Sequence, residues 1–412
     1  MTAVDTARRR RPLLLLYLAT LVSATGNGIV IVALPWLVLE LTGRASDAAI
    51  VAGATTLPLL LSSLFSGTFV DLFGRRRTSI VSDVLSAVSV ATIPIVAATS
   101  GLTVTTIALL AALGSFFDPA GISARESMLP AATRAAGWTL DRTNSVYEAN
   151  YNVAYLIGPG VGGVLIASVG AANALWVTAV CFVMSIGSVA FIRLENAGRP
   201  LAANRPRSIW HGTVEGLRFV WNDRLLRTLA LVDMALVALY MPVESVLFPV
   251  YFTELGQPAQ LGSVLMALSI GGVAGALAYG PAAPYLSRRM VLITAAMVLG
   301  LAMVAMAFLP SLWVILLLAA LQGFVFGPVG PIVNYAMQTR SPEHMRGRVV
   351  GVMTSTAYAA GPLGFVFAGP MLDRLGVQPT FFALAVPVVT LGVACLGFSS
   401  LRGLDLNPDT VS

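Results

Sequence analysis

The stretch Gly114-Ser-Phe-Phe-Asp118-Pro-Ala-Gly121 comes back later in the chain as Gly323-Phe-Val-Phe-Gly327-Pro-Val-Gly330. Two further pairs keep the same order at nearly the same separation. Gly158-Pro159 pairs with Gly361-Pro362, and Gly67 followed by Arg75-Arg76 pairs with Gly280 followed by Arg288-Arg289. Marks repeated in order mean that one half of the chain duplicates the other. Each mark lies in or beside a long apolar run, and a bilayer core takes about 20 mostly apolar residues per helix. Such runs cover roughly 13–41, 47–69, 78–99, 103–124, 144–167 and 171–192. A second set covers roughly 226–252, 260–286, 289–309, 311–337, 347–370 and 377–399. The expected fold is an all-α membrane protein with twelve transmembrane helices in two pseudo-symmetric six-helix bundles. Residues 1–192 make the first bundle, 193–225 a cytoplasmic linker and 226–412 the second bundle.

Composition agrees. The chain is 57% hydrophobic and 11% charged, with a mean hydropathy of +0.83, whereas soluble domains carry about 25% charged residues. Its 38 Gly and 23 Pro suit close-packed, kinked membrane helices. Cys181 and Cys395 lie in apolar runs and read as small packing residues. All 25 basic residues are arginine. Without lysine there is no Walker A loop to hold phosphates, and no Schiff-base or Ser-Lys chemistry. His211 and His344 fall in charged connecting segments, and no His/Cys cluster suggests a metal. No enzyme activity, cofactor, metal or nucleic-acid partner is expected. The expected partners are a small-molecule drug or metabolite, protons and the lipid bilayer, with the chain acting as a monomer.

Arginine placement sets the orientation. Arg8 to Arg11 before Leu13 to Leu16 imitate a signal peptide, but the apolar stretch runs on to about Leu41 with no cleavage pattern. An uncleaved first span is therefore expected. With a cytoplasmic N-terminus and one crossing per span, only Arg44 and Arg374 of the 25 arginines fall outside. The positive-inside rule then places both termini in the cytoplasm of a cell inner (plasma) membrane protein. Within the linker, Ile209, Trp210, Val214, Leu217, Val220 and Trp221 recur at helical spacing beside Arg207 and Arg218. They predict an interfacial helix on the inner leaflet.

Two local patterns carry mechanism. In the loop after the second span, Gly67, Asp71, Gly74, Arg75 and Arg76 combine a tight turn with an acid and guanidiniums. Such a set can hold a helix end in one conformer only, and Asp83, about a turn into the third span, is expected to support it. In the fifth span, Ala154, Gly158, Pro159, Gly162 and Gly163 put small residues a turn apart beside a kink, which lets two helices touch backbone to backbone.

Five acids fall inside the expected spans: Asp83, Asp118, Glu148, Asp233 and Glu244. No arginine is expected in any span interior, so the last four are candidates for proton coupling. They would also attract cationic, amphiphilic solutes. Glu244 reads equally well as a wetted residue near the outer mouth, and Pro242 is a candidate kink between Asp233 and Glu244. Candidate cavity residues are Asn27, Tyr147, Tyr151, Tyr155, Tyr240 and Phe326. Tyr147 and Tyr151 are spaced to share a face beside Glu148.

The loop from Gly67 to Arg77 resembles the signature loop of the major facilitator superfamily, with Leu72 where that family often has arginine. The Ala154 to Gly163 pattern resembles its antiporter motif, with Ala154 where glycine is usual. Longer stretches are similar to the Tap-type multidrug efflux proteins of actinobacteria. They include Ala33-Leu-Pro-Trp-Leu-Val-Leu39, Arg125-Glu-Ser-Met-Leu-Pro130, Glu215 to Trp221, Glu244 to Pro249 and Arg346 to Ser355. The resemblance implies the major facilitator fold and proton-driven export of antibiotics such as tetracyclines and aminoglycosides. That family tends to have Gly-Asp in the first span where this chain has Gly26-Asn27, and Asp118 is an additional acid that could compensate. Export of an endogenous metabolite, such as a siderophore or lipid, is the alternative. A non-transporting membrane scaffold or sensor is a third reading, with no soluble domain to signal through.

Overall fold

The computed structural model describes residues 3–138, 140–194, 209–341 and 346–405. It is helical almost throughout, as a chain in lipid must be when no water can satisfy its backbone N–H and C=O groups. The first half runs α1 (Ala3–Thr42), α2 (Ala45–Phe73), α3 (Arg75–Thr99), α4 (Val104–Phe116), α5 (Asp118–Ala136), α6 (Leu140–Val169) and α7 (Ala171–Ala190). After α8 (Ile209–Asn222) come α9 (Arg224–Pro242), α10 (Phe248–Glu254), α11 (Pro258–Ala282), α12 (Arg288–Ala307) and α13 (Leu312–Phe326). The last helices are α14 (Val329–Arg340), α15 (Arg346–Leu375) and α16 (Val377–Gly397). Among the described residues, 12 helical runs are long and apolar enough to cross a membrane. They fall on the expected spans.

The repeated stretches 114–121 and 323–330 are where two crossings break. α4 stops at Phe116, and α5 starts at Asp118 with Pro119 in its first turn. Proline is tolerated there because its missing N–H would find no helical partner anyway. In the second half α13 stops at Phe326, just before Gly327-Pro328, and α14 resumes at Val329. The seventh crossing is also discontinuous. Pro242 ends α9, and a π-turn over Val243–Leu247 leads into α10. The kink expected at Pro242 takes that form.

The described residues cluster into two compact units, one of residues 1–41 and 54–207, the other of 42–53 and 208–412. In the first, α3 packs along α7 and α5, and α1 lies against α6. In the second, α12 pairs with α16 as α3 does with α7, α11 with α13, and α9 with α15. The second unit includes the first turns of α2, where the Asp373 carboxylate of α15 accepts from the N–H groups of Ala45 at 2.7 Å and Ser46 at 3.1 Å, and from the Ser46 hydroxyl. α8 buries Gly216 and Val220 while Val214, Leu217 and Trp221 stay exposed. Residues 195–208 of the expected linker lie outside the described residues, as does His344. So do the side chains of Ile209, Trp210 and His211.

Candidate functional site

The first unit holds a buried polar centre. Asp83, on α3, is 1% exposed and Arg125, on α5, is 4% exposed. Arg125 Nη1 donates to both carboxylate oxygens of Asp83, at 3.2 and 3.1 Å. Ser23 of α1 donates to Asp83 Oδ1 at 3.2 Å, Ser185 of α7 donates to Oδ2 at 2.7 Å, and Arg125 Nη2 reaches Ser23 Oγ at 3.4 Å. Four helices thus meet on one carboxylate. Two expectations are corrected here. An arginine does lie inside a span, because α5 continues to Ala136 instead of ending near residue 124. And Asp83 is turned into the bundle, where this ion pair engages it, rather than toward the loop after α2.

Asp118 stands beside this pair at the helix break. Ser86 of α3 donates to Asp118 Oδ1 at 3.0 Å, and Asn27 of α1 is within hydrogen-bonding reach of the same carboxyl. The residue where an aspartate was missing and the acid that could replace it are therefore neighbours. Asp118 also feels the charges of Asp83 and Arg125. Its position at the start of α5 points the positive end of a helix dipole at the carboxyl.

The fifth-span glycines act as expected for a backbone crossing. A Cβ on Gly158 would sit 2.7 Å from Gly28 Cα and 2.9 Å from the Thr25 carbonyl oxygen, and one on Gly162 would sit 3.2 Å from Ile29 Cα. Ala154, Pro159 and Gly163 are buried on the same helix. The tyrosines separate. Tyr147 is 4% exposed in an apolar cluster with Leu13, Leu16, Tyr17, Met128 and Val189, whereas Tyr151 and Tyr155 are half-buried with ring centroids 5.1 Å apart. The Glu148 side chain lies outside the described residues.

In the loop after α2, Gly74 takes φ 85° between α2 and α3, a region open to glycine at little cost. Arg76 donates to the carbonyl of Ala190, the last residue of α7. Arg289, its counterpart in the repeat, donates to the Leu396 carbonyl near the end of α16 at 2.6 Å. Each arginine therefore clamps the last helix of its own half, a contact that sequence spacing alone did not reveal. Arg75 is half-buried, Gly67 falls within α2, and the Asp71 side chain lies outside the described residues.

The second unit carries its candidates on the broken seventh crossing. Asp233 is half-buried on α9, and Glu244 sits in the π-turn one helical step beyond Tyr240. The buried Tyr240 hydroxyl has no hydrogen-bond partner among the described residues. π-Turns concentrate at functional sites, and Pro242 beside Glu244 is the sequence signal for this one. Phe326, at the end of α13, is 38% exposed. Among the described residues no group of three or more His, Cys, Asp or Glu could hold a metal.

The family model described as Major Facilitator Superfamily matches residues 16–364 and 245–402. The chain is 55% identical to the multidrug efflux pump Tap of Mycolicibacterium fortuitum, over 97% of this chain and 99% of that one. It is 52% identical to the pump of the same name in Mycobacterium tuberculosis, covering 97% and 96%. The crystal structure of the nucleoside transporter NupG superposes with a TM-score of 0.76 at 14% identity, covering 94% of this chain and 98% of that one, a likeness of fold. Duplicated halves, twelve crossings and these matches lead to one statement: the chain is a multi-pass membrane transporter, not an enzyme, and belongs to the major facilitator superfamily.

Proposed function

We propose that this chain exports amphiphilic, often cationic drugs across the plasma membrane by alternating access, driven by an inward flow of protons. Drug export follows the names of relatives that match the chain from end to end, and tetracycline- and aminoglycoside-type cargo follows the resemblance. The observation that carries the proton-coupled reading is Asp118, the acid that joins Asn27 and Ser86 at a helix break beside the Asp83–Arg125 pair. Protonated, its carboxyl can donate a hydrogen bond in a dry conformer. Ionised, it needs water or a cationic substrate, and that difference biases one conformer over another. In this reading Glu148, Asp233 and Glu244 are the other candidate coupling acids, Tyr151 and Tyr155 in the first half and Tyr240 and Phe326 in the second are candidate substrate contacts, and the Gly67 to Arg76 loop is a conformational latch.

The test is transport in proteoliposomes with an imposed pH gradient. Asp118→Asn should abolish uphill tetracycline efflux while preserving downhill exchange. Glu148→Gln and Asp233→Asn, made singly, report whether another acid shares the task. Full gradient-driven efflux in all three would remove these residues from coupling. A parent protein that moves no drug but moves an endogenous metabolite would establish the alternative cargo.

A further inference from the structure

α3 presents a line of serines to the broken fourth crossing. Ser82, Ser86 and Ser89 lie on one helical face and are all buried. Each hydroxyl lies within hydrogen-bonding distance of a backbone carbonyl across the seam: Ser82 of Phe117 at 2.9 Å, Ser86 of Gly114 at 3.0 Å, and Ser89 of Leu110. Gly114 and Gly121 make the approach possible, since a Cβ on either would stand 2.9 or 2.5 Å from the hydroxyls of Ser89 and Ser82. Ser86 differs from its neighbours. Its hydroxyl is 3.0 Å from the Gly114 carbonyl and also 3.0 Å from Asp118 Oδ1. A hydroxyl has one hydrogen to give, and both of these oxygens accept when Asp118 is ionised.

We infer that Ser86 is a positioning residue that switches its hydrogen bond with the protonation of Asp118, and so passes that state to the end of α4; the inference rests on the proton-coupling reading. With Asp118 ionised, the Ser86 hydrogen goes to the carboxylate, because a bond to a charged acceptor is the stronger one. When a proton arrives, the carboxyl donates it to Ser86 Oγ, and the serine hydrogen turns to the Gly114 carbonyl. One proton is gained at Asp118, the Ser86–Asp118 hydrogen bond reverses its direction, and one hydrogen bond, from Ser86 to the Gly114 carbonyl, is added. Gly114 lies in the last turn of α4, so protonation tightens the α3–α4 seam beside the break. The charged groups facing Asp118 are Asp83 from α3 and Arg125 from its own helix, with the neutral Asn27 from α1. Asp83 and Arg125 engage each other.

The experiment is an infrared pH titration of the purified full chain in lipid, taking the carboxyl band lost in Asp118→Asn as the signal of Asp118. Ser86→Ala should move the midpoint of that band to higher pH by up to about one unit, the excess of the charge-assisted hydrogen bond lost from the carboxylate over the neutral bonds lost when the group is protonated. The band should also shift to higher frequency, because the carboxyl loses its acceptor. Ser86→Thr, which keeps the hydroxyl, should restore both. Ser89→Ala, which removes a seam bond with no acid partner, should change neither. An unchanged midpoint and frequency in Ser86→Ala, or an equal shift in Ser89→Ala, overturns the switch. Should Asp118→Asn retain gradient-driven efflux while the band responds to Ser86→Ala, the coupling reading fails and the hydrogen-bond switch stands.

Discussion

At the scale of single residues, the Asp83–Arg125 ion pair is held almost wholly out of water inside the first unit. A lone acid inside an apolar run is conspicuous, so Asp83 and Asp118 were both legible as intramembrane carboxylates. Arg125 was not, because Ser123-Ala-Arg-Glu-Ser-Met-Leu-Pro130 reads as the polar loop after an apolar run. Only the fold shows that the helix continues and turns the guanidinium inward to Asp83, whose partners come from three other helices. Removing one member strands the other charge away from water, at a cost of about 3–5 kcal/mol. Asp83→Ala should therefore lower the thermal unfolding temperature of the purified protein sharply. The double variant Asp83→Leu with Arg125→Met should recover most of the loss, since an apolar pair of similar volume strands no charge. A single variant as stable as the parent would show that the pair bears no such strain.

At the scale of elements, the small residues of the fifth span announced a close helix crossing, and the structure supplies the partner, α1 at Gly28. Partner identity depends on topology, which spacing along one helix does not contain. The same holds for Arg76 and Arg289. Their repetition was visible, but their targets, the C-terminal ends of α7 and α16, were not. A cation bonded to the last carbonyls of a helix satisfies groups that have no partner within the helix and complements its dipole, worth about 0.3–1 kcal/mol at exposed ends. Arg76→Gln should raise hydrogen exchange in the last turn of α7 and leave α16 unchanged. Arg289→Gln should do the reverse. Equal fraying of both ends in either variant would mean that the contacts do not act locally.

At the scale of the whole molecule, duplication, span count and family were all legible, because lipid permits so few solutions that hydropathy and repeated breaks nearly define them. From arginine placement we propose that both termini lie inside, which would leave only Arg44 and Arg374 outside once Arg125 is set aside as a buried residue. A reporter fused after Ser412 should show cytoplasmic-type activity, and a periplasmic signal there would overturn the twelve-crossing arrangement with both termini inside. The position of Asp118 corresponds to Gly327 in the second copy, and there a Cβ would collide with the backbone of Gly272 and Ala276 on α11. No acid fits at that place while α11 and α13 pack as they do. One copy of this helix break has room for an ionisable group, and in the other the same place is filled by backbone contact. The two copies are therefore not interchangeable: a chain rebuilt from two first halves would gain a second carboxyl but lose the tight helix pair of the natural second half.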